Sequence, residues 1–377
     1  MEARSQWSAV SGQWSVSLGA VLEFAIALVG RDASKNAECR MQKSEVSGPY
    51  QGYVEVGRRF AVRVREALKH RKDLGLGSIF FAYDTGALET MEWCRERGIK
   101  CVLNQMDPNR VEVDLVRSET KQWPGWALED IKVPEAYFAR REREWALADR
   151  VVVNSEFSRM ALVQQGVPSE KLAVVPLCYE REVENKKSEV RSQKSEPSTL
   201  NSQLSTEPLR VLFLGQVILR KGIQYLLAAA RKLERENIHF DVVGSVGISR
   251  EAVATAPGNV TFHGRTGRDQ TTDWYRKSHV FVLPTLSDGF AITQLEAMAH
   301  GLPVITTPCC GEVVSEGMDG FIVPPRNPDA LVMALQRYLS EPGLLQAQRR
   351  AALEKSKQFT LGRLAENLHR VEDELKS

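Results

Sequence analysis

Short β-branched apolar runs alternate with helical segments along most of this 377-residue chain, in two series separated by a long polar stretch. Alternation of this kind is typical of a parallel sheet with helices on both faces. The polar stretch, residues 180–207, is rich in Ser, Glu, Lys and Gln, which predicts a disordered linker. The sequence therefore predicts an α/β protein with two doubly wound, Rossmann-like domains.

The outer boundaries are less regular than the two series of strands. Residues 1–48 contain short repeated motifs, including a Gln-Lys-Ser-Glu motif that occurs again at residue 193. Such repeats are typical of low-complexity sequence. A final helical pattern near the C-terminus is expected to pack back toward the first domain. The predicted organisation is an atypical low-complexity segment at 1–48, a first α/β domain at 49–179, the disordered linker at 180–207, a second α/β domain at 208–350 and a C-terminal helical segment at 351–377.

Composition excludes several classes of protein. A formal net charge of +2 argues against a nucleic-acid-binding protein. The six cysteines have neither metal-ligand spacing nor the density of a disulfide framework, which predicts no metal site and a reducing, cytoplasmic compartment. The longest apolar run, residues 16–30, is short for a membrane span and contains Glu23. It also lacks the basic start of a signal peptide.

The most informative stretch is residues 287–301, which lies between two apolar strand patterns. Gly289 permits a tight turn, and a helix is predicted to begin near Ala291. A helix that begins directly after a parallel strand presents unpaired amides at the carboxyl edge of the sheet, where anions bind. Asp288 and Glu296 flank this point, and carboxylates accept hydrogen bonds from sugar hydroxyls. The stretch therefore predicts a site for a sugar attached to a phosphate.

A second polar feature follows the first strand of the second series. Gly215 permits close approach of a ligand, and Arg220 and Lys221 are adjacent cations that suit phosphate oxygens. The alternative interpretation is a surface turn with two solvated cations. Neither a P-loop nor the glycine fingerprint of a dinucleotide site is present.

Together these features resemble the group 1 (family 4) glycosyltransferases, which have the GT-B fold of two Rossmann-like domains facing across a cleft. The matching residues are Gly215, the Arg220-Lys221 pair, His263-Gly264 and the acids Asp288 and Glu296, followed by similarity over 311–325. Residues 50–178 resemble the later part of the acceptor domain of that family. The usual opening strand and glycine-rich loop are not visible in residues 1–48.

The resemblance implies roles for individual residues. Arg220 and Lys221 would hold the donor diphosphate, Glu296 the ribose, and Asp288 the sugar hydroxyls, so that Arg220, Lys221 and Asp288 form the catalytic set. Glutamate is usual at position 288, and the shorter aspartate leaves the donor sugar open. The full implied donor site comprises Gly215, Arg220, Lys221, His263, Gly264, Asp288, Gly289, Phe290, Ala291, Ile292 and Glu296.

The resemblance further implies a retaining, metal-independent transfer without a cofactor, from a nucleotide-diphosphate sugar to a hydroxyl of a glycan, lipid or small molecule. Two alternatives remain: a nucleotide-sugar-binding protein with little activity because its acceptor domain is incomplete, or a nucleotide-sugar epimerase on the same fold. The expected location is cytoplasmic, with peripheral association at the inner face of the membrane left open. The oligomeric state is not predicted.

Four residues, one of them in the implied donor site and three outside it, each have two alternative interpretations. His263 suits either a strand end or a ligand contact, and Asp84 suits either acceptor binding or capping of the next helix. Trp123 and Trp126 either stack on a sugar or pack the domain. His70, in a charged helix, is expected to be solvated.

Overall fold

The computed structural model describes residues 49–72, 74–75, 77–128, 132–180 and 207–376. Segment 1–48 and nearly all of the predicted linker 180–207 lie outside these ranges. The described chain forms two separate parallel sheets, of four and six strands, with helices between most successive strands. The predicted α/β class with two parallel sheets is therefore confirmed.

The first sheet has the strand order β1-β2-β3-β4, with every pair parallel. Its apolar side chains, including Met91, Leu103 and Trp145, pack between strands and helices in one core. The strands are β1 Ile79–Tyr83, β2 Lys100–Gln105, β3 Arg150–Val153 and β4 Leu172–Val174, and the helices are α1 Pro49–Lys69, α2 Leu88–Arg95, α3 Arg110–Gln122, α4 Glu135–Leu147 and α5 Glu156–Gln164.

The second sheet has the order β10-β9-β8-β5-β6-β7, again parallel throughout. Its strands are β5 Leu209–Leu214, β6 Ile238–Val243, β7 Val260–Gly264, β8 Val280–Leu283, β9 Val304–Thr306 and β10 Gly320–Ile322. Its helices are α6 Ile223–Lys232, α7 Arg250–Ala254, α8 Arg268–Arg276, α9 Ile292–Ala299, α10 Pro328–Ser340 and α11 Pro342–Ser356. Strand β5 lies between β6 and β8, so the strand order reverses at β5. The loops after β5 and β8 therefore lie at a topological switch point, where such sheets bind ligands.

The last helix, α12 (Leu361–Lys376), returns to the first sheet. Leu364, Leu368 and Val371 pack with Val102 and Val152 in one apolar cluster. The chain passes between the domains a second time here, beside the first passage, and the Tyr179 amide donates to the Phe359 carbonyl at 3.0 Å. The two domains are thus joined by two adjacent stretches of backbone.

A segment that precedes the linker packs on the second domain. We call residues 110–128, which comprise α3 and the turn after it, the α3 strut. Trp123 and Trp126 lie against the core of the second sheet, with the Trp123 ring edge-on to Tyr225 at 5.8 Å between centroids. The Ser249 amide donates to the Trp126 carbonyl at 2.8 Å. Both tryptophans therefore pack, as one of their two readings proposed.

The side chain of Glu119 anchors this strut. It is fully buried, and its carboxylate accepts from Gln224 Nε2 at 3.0 Å, Tyr225 Oη at 2.8 Å and Arg326 Nε at 2.5 Å. All three donors belong to the second domain. The contact satisfies a buried charge with three hydrogen bonds from across the domain boundary.

Candidate functional site

The loops after β5 and β8 are hydrogen-bonded to each other at the switch point. After β5 the chain makes a 3₁₀ turn, Leu219–Lys221. The Leu286 amide donates to the Arg220 carbonyl at 2.8 Å, and Arg220 Nη1 donates to the Ser287 carbonyl at 2.8 Å. Gly222 follows with φ of 77°, and a Cβ at this position would overlap the Pro284 carbonyl. The backbone thus fixes the two predicted phosphate ligands beside the predicted sugar ligand.

The charges of this cluster compensate one another. Lys221 Nζ pairs with the Asp288 carboxylate, and Arg220 Nη1 lies 3.4 Å from Glu112 Oε2 on α3. Burial alone would raise the pKa of Asp288, but the cations Lys221 and Arg220 outweigh it and lower that pKa. Asp288 is therefore ionised at neutral pH. A diphosphate in this place would compete with two carboxylates for the two cations.

Helix α9 begins at Ile292, one residue after the predicted start, because Ala291 adopts a left-handed conformation with φ of 61°. Asp288 Oδ1 accepts from the Ala291 amide at 3.2 Å. The Phe290 ring packs in the core, edge-on to Phe359. Asp288 thus holds the turn that leads into the helix, a role that the sequence did not suggest.

The predicted ribose ligand lies inside α9. Glu296 is half-buried, and its Oε2 accepts from Tyr275 Oη at 2.7 Å. The Tyr275 ring stacks on His300 with 5.0 Å between centroids. Burial raises the pKa of Glu296, which the hydrogen bond from Tyr275 partly opposes. Tyr275 orients the carboxylate, and nothing in its sequence context on α8 pointed to this contact.

Three other residues of the predicted donor site lie at strand ends, namely His263, Gly264 and Gly215. His263 Nε2 lies 2.7 Å from Asp241 Oδ1, and its ring packs on Trp274 at 4.3 Å. This hydrogen bond ties β7 to β6, and the structure places no bond between His263 and the Arg220–Asp288 cluster. Gly264 has φ of 70°, and a Cβ on Gly264 or Gly215 would meet open space.

The first domain presents its own carboxyl edge to the site. Asp84 and Asp107 follow β1 and β2, and both pair with the buried guanidinium of Arg141, the latter at 2.9 Å. Burial raises the pKa of Asp84 to about 6, with Asp107 adding to the effect and Arg141 opposing it. Asp84 therefore neutralises Arg141 and does not cap the next helix.

That cap is supplied by Glu144. Its carboxylate accepts from the amides of Thr85 at 2.6 Å and of Ala87 and Leu88 at 3.1 Å each. Arg141 and Glu144 lie in a run of alternating charges on α4, a pattern typical of a solvated helix face. The burial of these two side chains could therefore not be predicted from the sequence. His70, by contrast, is exposed as expected.

Gly289 is a close backbone contact between the two domains at the site. A Cβ on this residue would overlap the carbonyl oxygen of Met106 at the end of β2. We predict that Gly289→Ala forces the loop and the facing strand end apart and costs about 1–3 kcal/mol of stability. Urea unfolding measures this cost. Gly343→Ala on α11, where a methyl group meets open space, is the control. Equal stability of both variants would show that the contact is not tight.

Two observations concern absent features. Over the described ranges, no three side chains of His, Cys, Asp or Glu are grouped so as to hold a metal ion. None of the described helices combines the length and the apolar character that crossing a membrane requires.

Comparison with known proteins identifies a family model for the second domain and several relatives of the chain. Residues 208–341 match the family model described as glycosyl transferases group 1. The D-inositol 3-phosphate glycosyltransferase of Streptomyces griseus is 33% identical over 174 residues, 41% of this chain and 37% of that protein. The chain spans little more than a third of the length of the first curated relatives that it matches, 36% and 37%.

Solved structures extend the likeness to both domains, as a likeness of fold. Sucrose-phosphate synthase from Thermosynechococcus elongatus superposes with a TM-score of 0.64 at 20% identity, over 89% of this chain and 82% of that one. HepE of Anabaena in complex with UDP gives 0.58 at 16% identity, over 85% and 82%. The two-sheet architecture is the GT-B fold.

Proposed function

From the premise that this chain is a group 1 glycosyltransferase by its second domain, residues 208–341, and by its GT-B fold, we propose that it transfers a sugar from a nucleotide-diphosphate sugar to a hydroxyl acceptor. The observation that carries the proposal is the pair Arg220 and Lys221 at the switch point of the second sheet. Both cations are held by carboxylates of Glu112 and Asp288, which an anionic ligand can replace.

The proposed mechanism assigns one task to each residue. Arg220 and Lys221 bind the diphosphate and stabilise the negative charge that develops as it leaves the sugar, which is the main demand of such a reaction. Asp288, once Lys221 has turned to the phosphate, accepts hydrogen bonds from hydroxyls of the donor sugar. Glu296, oriented by Tyr275, accepts from the ribose. The departing diphosphate takes the acceptor proton on the same face, so the anomeric configuration is retained.

The proposed donor and the proposed location each have one supporting observation. The UDP in the HepE complex makes a uridine diphosphate sugar the first donor to test. The five described cysteines are free thiols, which fits a reducing cytoplasm. The acceptor is a hydroxyl of a glycan, lipid or small molecule, at the face formed by the first domain.

Product analysis tests this function against its alternatives. The protein is incubated with each of several nucleotide sugars, alone and with a mixture of candidate acceptors, and the products are identified by mass spectrometry. Transfer requires the acceptor and releases a nucleoside diphosphate. A nucleotide-sugar epimerase changes the donor without an acceptor, and a binding protein leaves it unchanged. Either of the last two outcomes rejects the proposal.

Glu296→Gln probes the proposed ribose contact. Glutamine keeps the size and one acceptor oxygen, so Tyr275 can still donate and thermal stability should change little. Loss of charge-assisted bonds to the ribose should weaken nucleotide binding by about 1.5–3 kcal/mol, roughly 10- to 100-fold. Calorimetry with UDP and with its 2′-deoxy form measures both effects. The deoxy nucleotide should bind the parent poorly and respond less to the substitution. Parent and variant discriminating equally between the two would contradict the role.

A further inference from the structure

The first domain places one carboxylate against Arg220, one of the two proposed phosphate ligands. Glu112, in the first turn of α3, accepts from Ser287 Oγ at 2.8 Å and lies 3.4 Å from Arg220 Nη1. Burial raises the pKa of Glu112, an effect to which Asp107 and Asp288 add and which Arg220 opposes. The family resemblance does not account for this residue, which belongs to the acceptor side of the cleft.

Tyr50 and Asp107 of the first domain lie within electrostatic range of Glu112. Tyr50 on α1 is half-buried, and its pKa is raised by burial and by the negative charges of Glu112 and Asp107. The Tyr50 ring packs edge-on against Tyr137 at 5.1 Å. An aromatic ring within electrostatic range of two carboxylates is a combination that suits a ligand ring with several hydroxyls.

The cations on this side of the cleft are already neutralised. Arg141 is fully buried between Asp84 and Asp107, and Arg110 pairs with two glutamates while its guanidinium covers the Phe138 ring. Among the described residues of this wall, then, negative charge is in excess. A second phosphate at this position would be repelled by Asp107, whose side chain is 37% exposed, and by Glu112.

Donor binding changes the balance further. A diphosphate that takes Arg220 and Lys221 removes the cations from Glu112 and Asp288, which keep their hydrogen bonds from Ser287 Oγ and the Ala291 amide. Asp288 faces the donor side, on the loop after β8, whereas Glu112 comes from α3 of the first domain. A partly buried carboxylate that has lost its cation is stabilised by hydrogen bonds from the hydroxyl groups of a ligand.

We propose that Glu112 is the acceptor-binding carboxylate, that the donor diphosphate releases it from Arg220, and that the acceptor is a neutral, hydroxyl-bearing molecule. This inference rests on the proposed function and adds to it a residue and a class of acceptor.

The first experiment needs no knowledge of the acceptor. Binding of UDP, GDP and ADP is measured by calorimetry for the parent, Glu112→Gln and Asp114→Asn, and the tightest nucleotide is retained. Asp114 lies on the same helix, is exposed and pairs with Arg117, so Asp114→Asn is the matched control. Because Glu112 competes for Arg220, Glu112→Gln should bind the diphosphate about 5-fold tighter, as removal of an ion pair worth about 1 kcal/mol would give.

The same measurement distinguishes failure of the proposed function from failure of the role of Glu112. A parent that binds none of the three nucleotides rejects the proposed function itself. A parent that binds one, with Glu112→Gln binding no tighter than Asp114→Asn, rejects the role of Glu112. Binding of the bare nucleoside should be unchanged in all three proteins.

The second experiment addresses the acceptor class. Release of nucleoside diphosphate from the donor is followed without acceptor, with neutral sugars and polyols, and with their phosphates, such as glucose beside glucose 6-phosphate. Neutral members should raise the rate, and Glu112→Gln should lower their kcat/KM about 10- to 100-fold, as loss of hydrogen bonds to a charged group would do. The Asp114→Asn variant should match the parent. Stimulation by the phosphates alone, stimulation by neither set, or full transfer by Glu112→Gln overturns the inference.

Discussion

Replacing Arg220 and Lys221 together by alanine is expected to weaken binding of a nucleoside diphosphate by about 10²- to 10⁴-fold and to leave nucleoside binding nearly unchanged. Each side chain would donate charge-assisted hydrogen bonds to phosphate oxygens, and loss of each should cost about 1.5–3 kcal/mol. The structure supports a joint effect because both residues lie in one 3₁₀ turn that is hydrogen-bonded to the loop of Asp288. Calorimetry with the diphosphate and the nucleoside measures it.

The chain contains its own control for this experiment. Arg231 and Lys232 form the same dipeptide at the end of α6, where Arg231 donates to the Thr255 carbonyl and Lys232 pairs with Asp329 on the surface. Their double alanine variant should bind the diphosphate like the parent. The Arg220→Ala, Lys221→Ala variant also leaves the buried Asp288 carboxylate without its cation. Adding Asp288→Asn removes that unpaired charge, so the triple variant shows whether weaker binding comes from loss of the cations or from loss of stability. Equal diphosphate binding by the site variant and the parent would remove the main support for the proposed function.

The largest effect on stability is expected from Glu119→Ala. This carboxylate is fully buried and accepts three hydrogen bonds from the second domain. Removing one partner of a buried charge network costs about 3–5 kcal/mol, and here we expect about 3 kcal/mol because Arg326, 41% exposed, can be hydrated afterwards. Urea unfolding followed by tryptophan fluorescence should detect the change, since Trp123 lies at the end of the same helix.

Asp114→Ala separates this loss from an effect on helix α3 itself. It removes an exposed carboxylate from the same helix and should cost less than about 0.5 kcal/mol, as surface substitutions usually do. A Glu119→Ala protein as stable as the Asp114→Ala protein would mean that the strut is held by its tryptophans alone.

The residues of the proposed donor site could be brought together from sequence because their geometry is local. Arg220, Lys221 and Asp288 each follow a strand by a few residues, and the carboxyl ends of neighbouring parallel strands meet at one edge. Strand pattern and turn chemistry therefore suffice to bring these residues together. The same reasoning placed Glu296 on the following helix, although it gave no sign of Tyr275.

The proposed acceptor side could not be predicted in this way. Glu112 and Glu119 lie in a highly charged helix whose pattern indicates a solvated surface, and only tertiary packing shows that both point into the second domain. Arg141 and Glu144 were hidden for the same reason, since a buried charge and an exposed one look alike in sequence when the partners are distant. His263 resembles a ligand by its position at a strand end, yet its hydrogen bond holds two strands together.

The docking of the α3 strut decides where such a protein can be cut and recombined. An exchange of donor domains at the polar linker would leave Trp123, Trp126 and Glu119 facing a foreign surface and would uncover part of the core around Tyr225. The transplantable unit is instead residues 207–360 together with 110–128, whereas α12 must stay with the sheet it covers. A chimera designed on these boundaries should fold where one divided at residue 207 exposes apolar surface and aggregates. The part of the chain that would carry the proposed donor site into a chimera is therefore discontinuous in sequence.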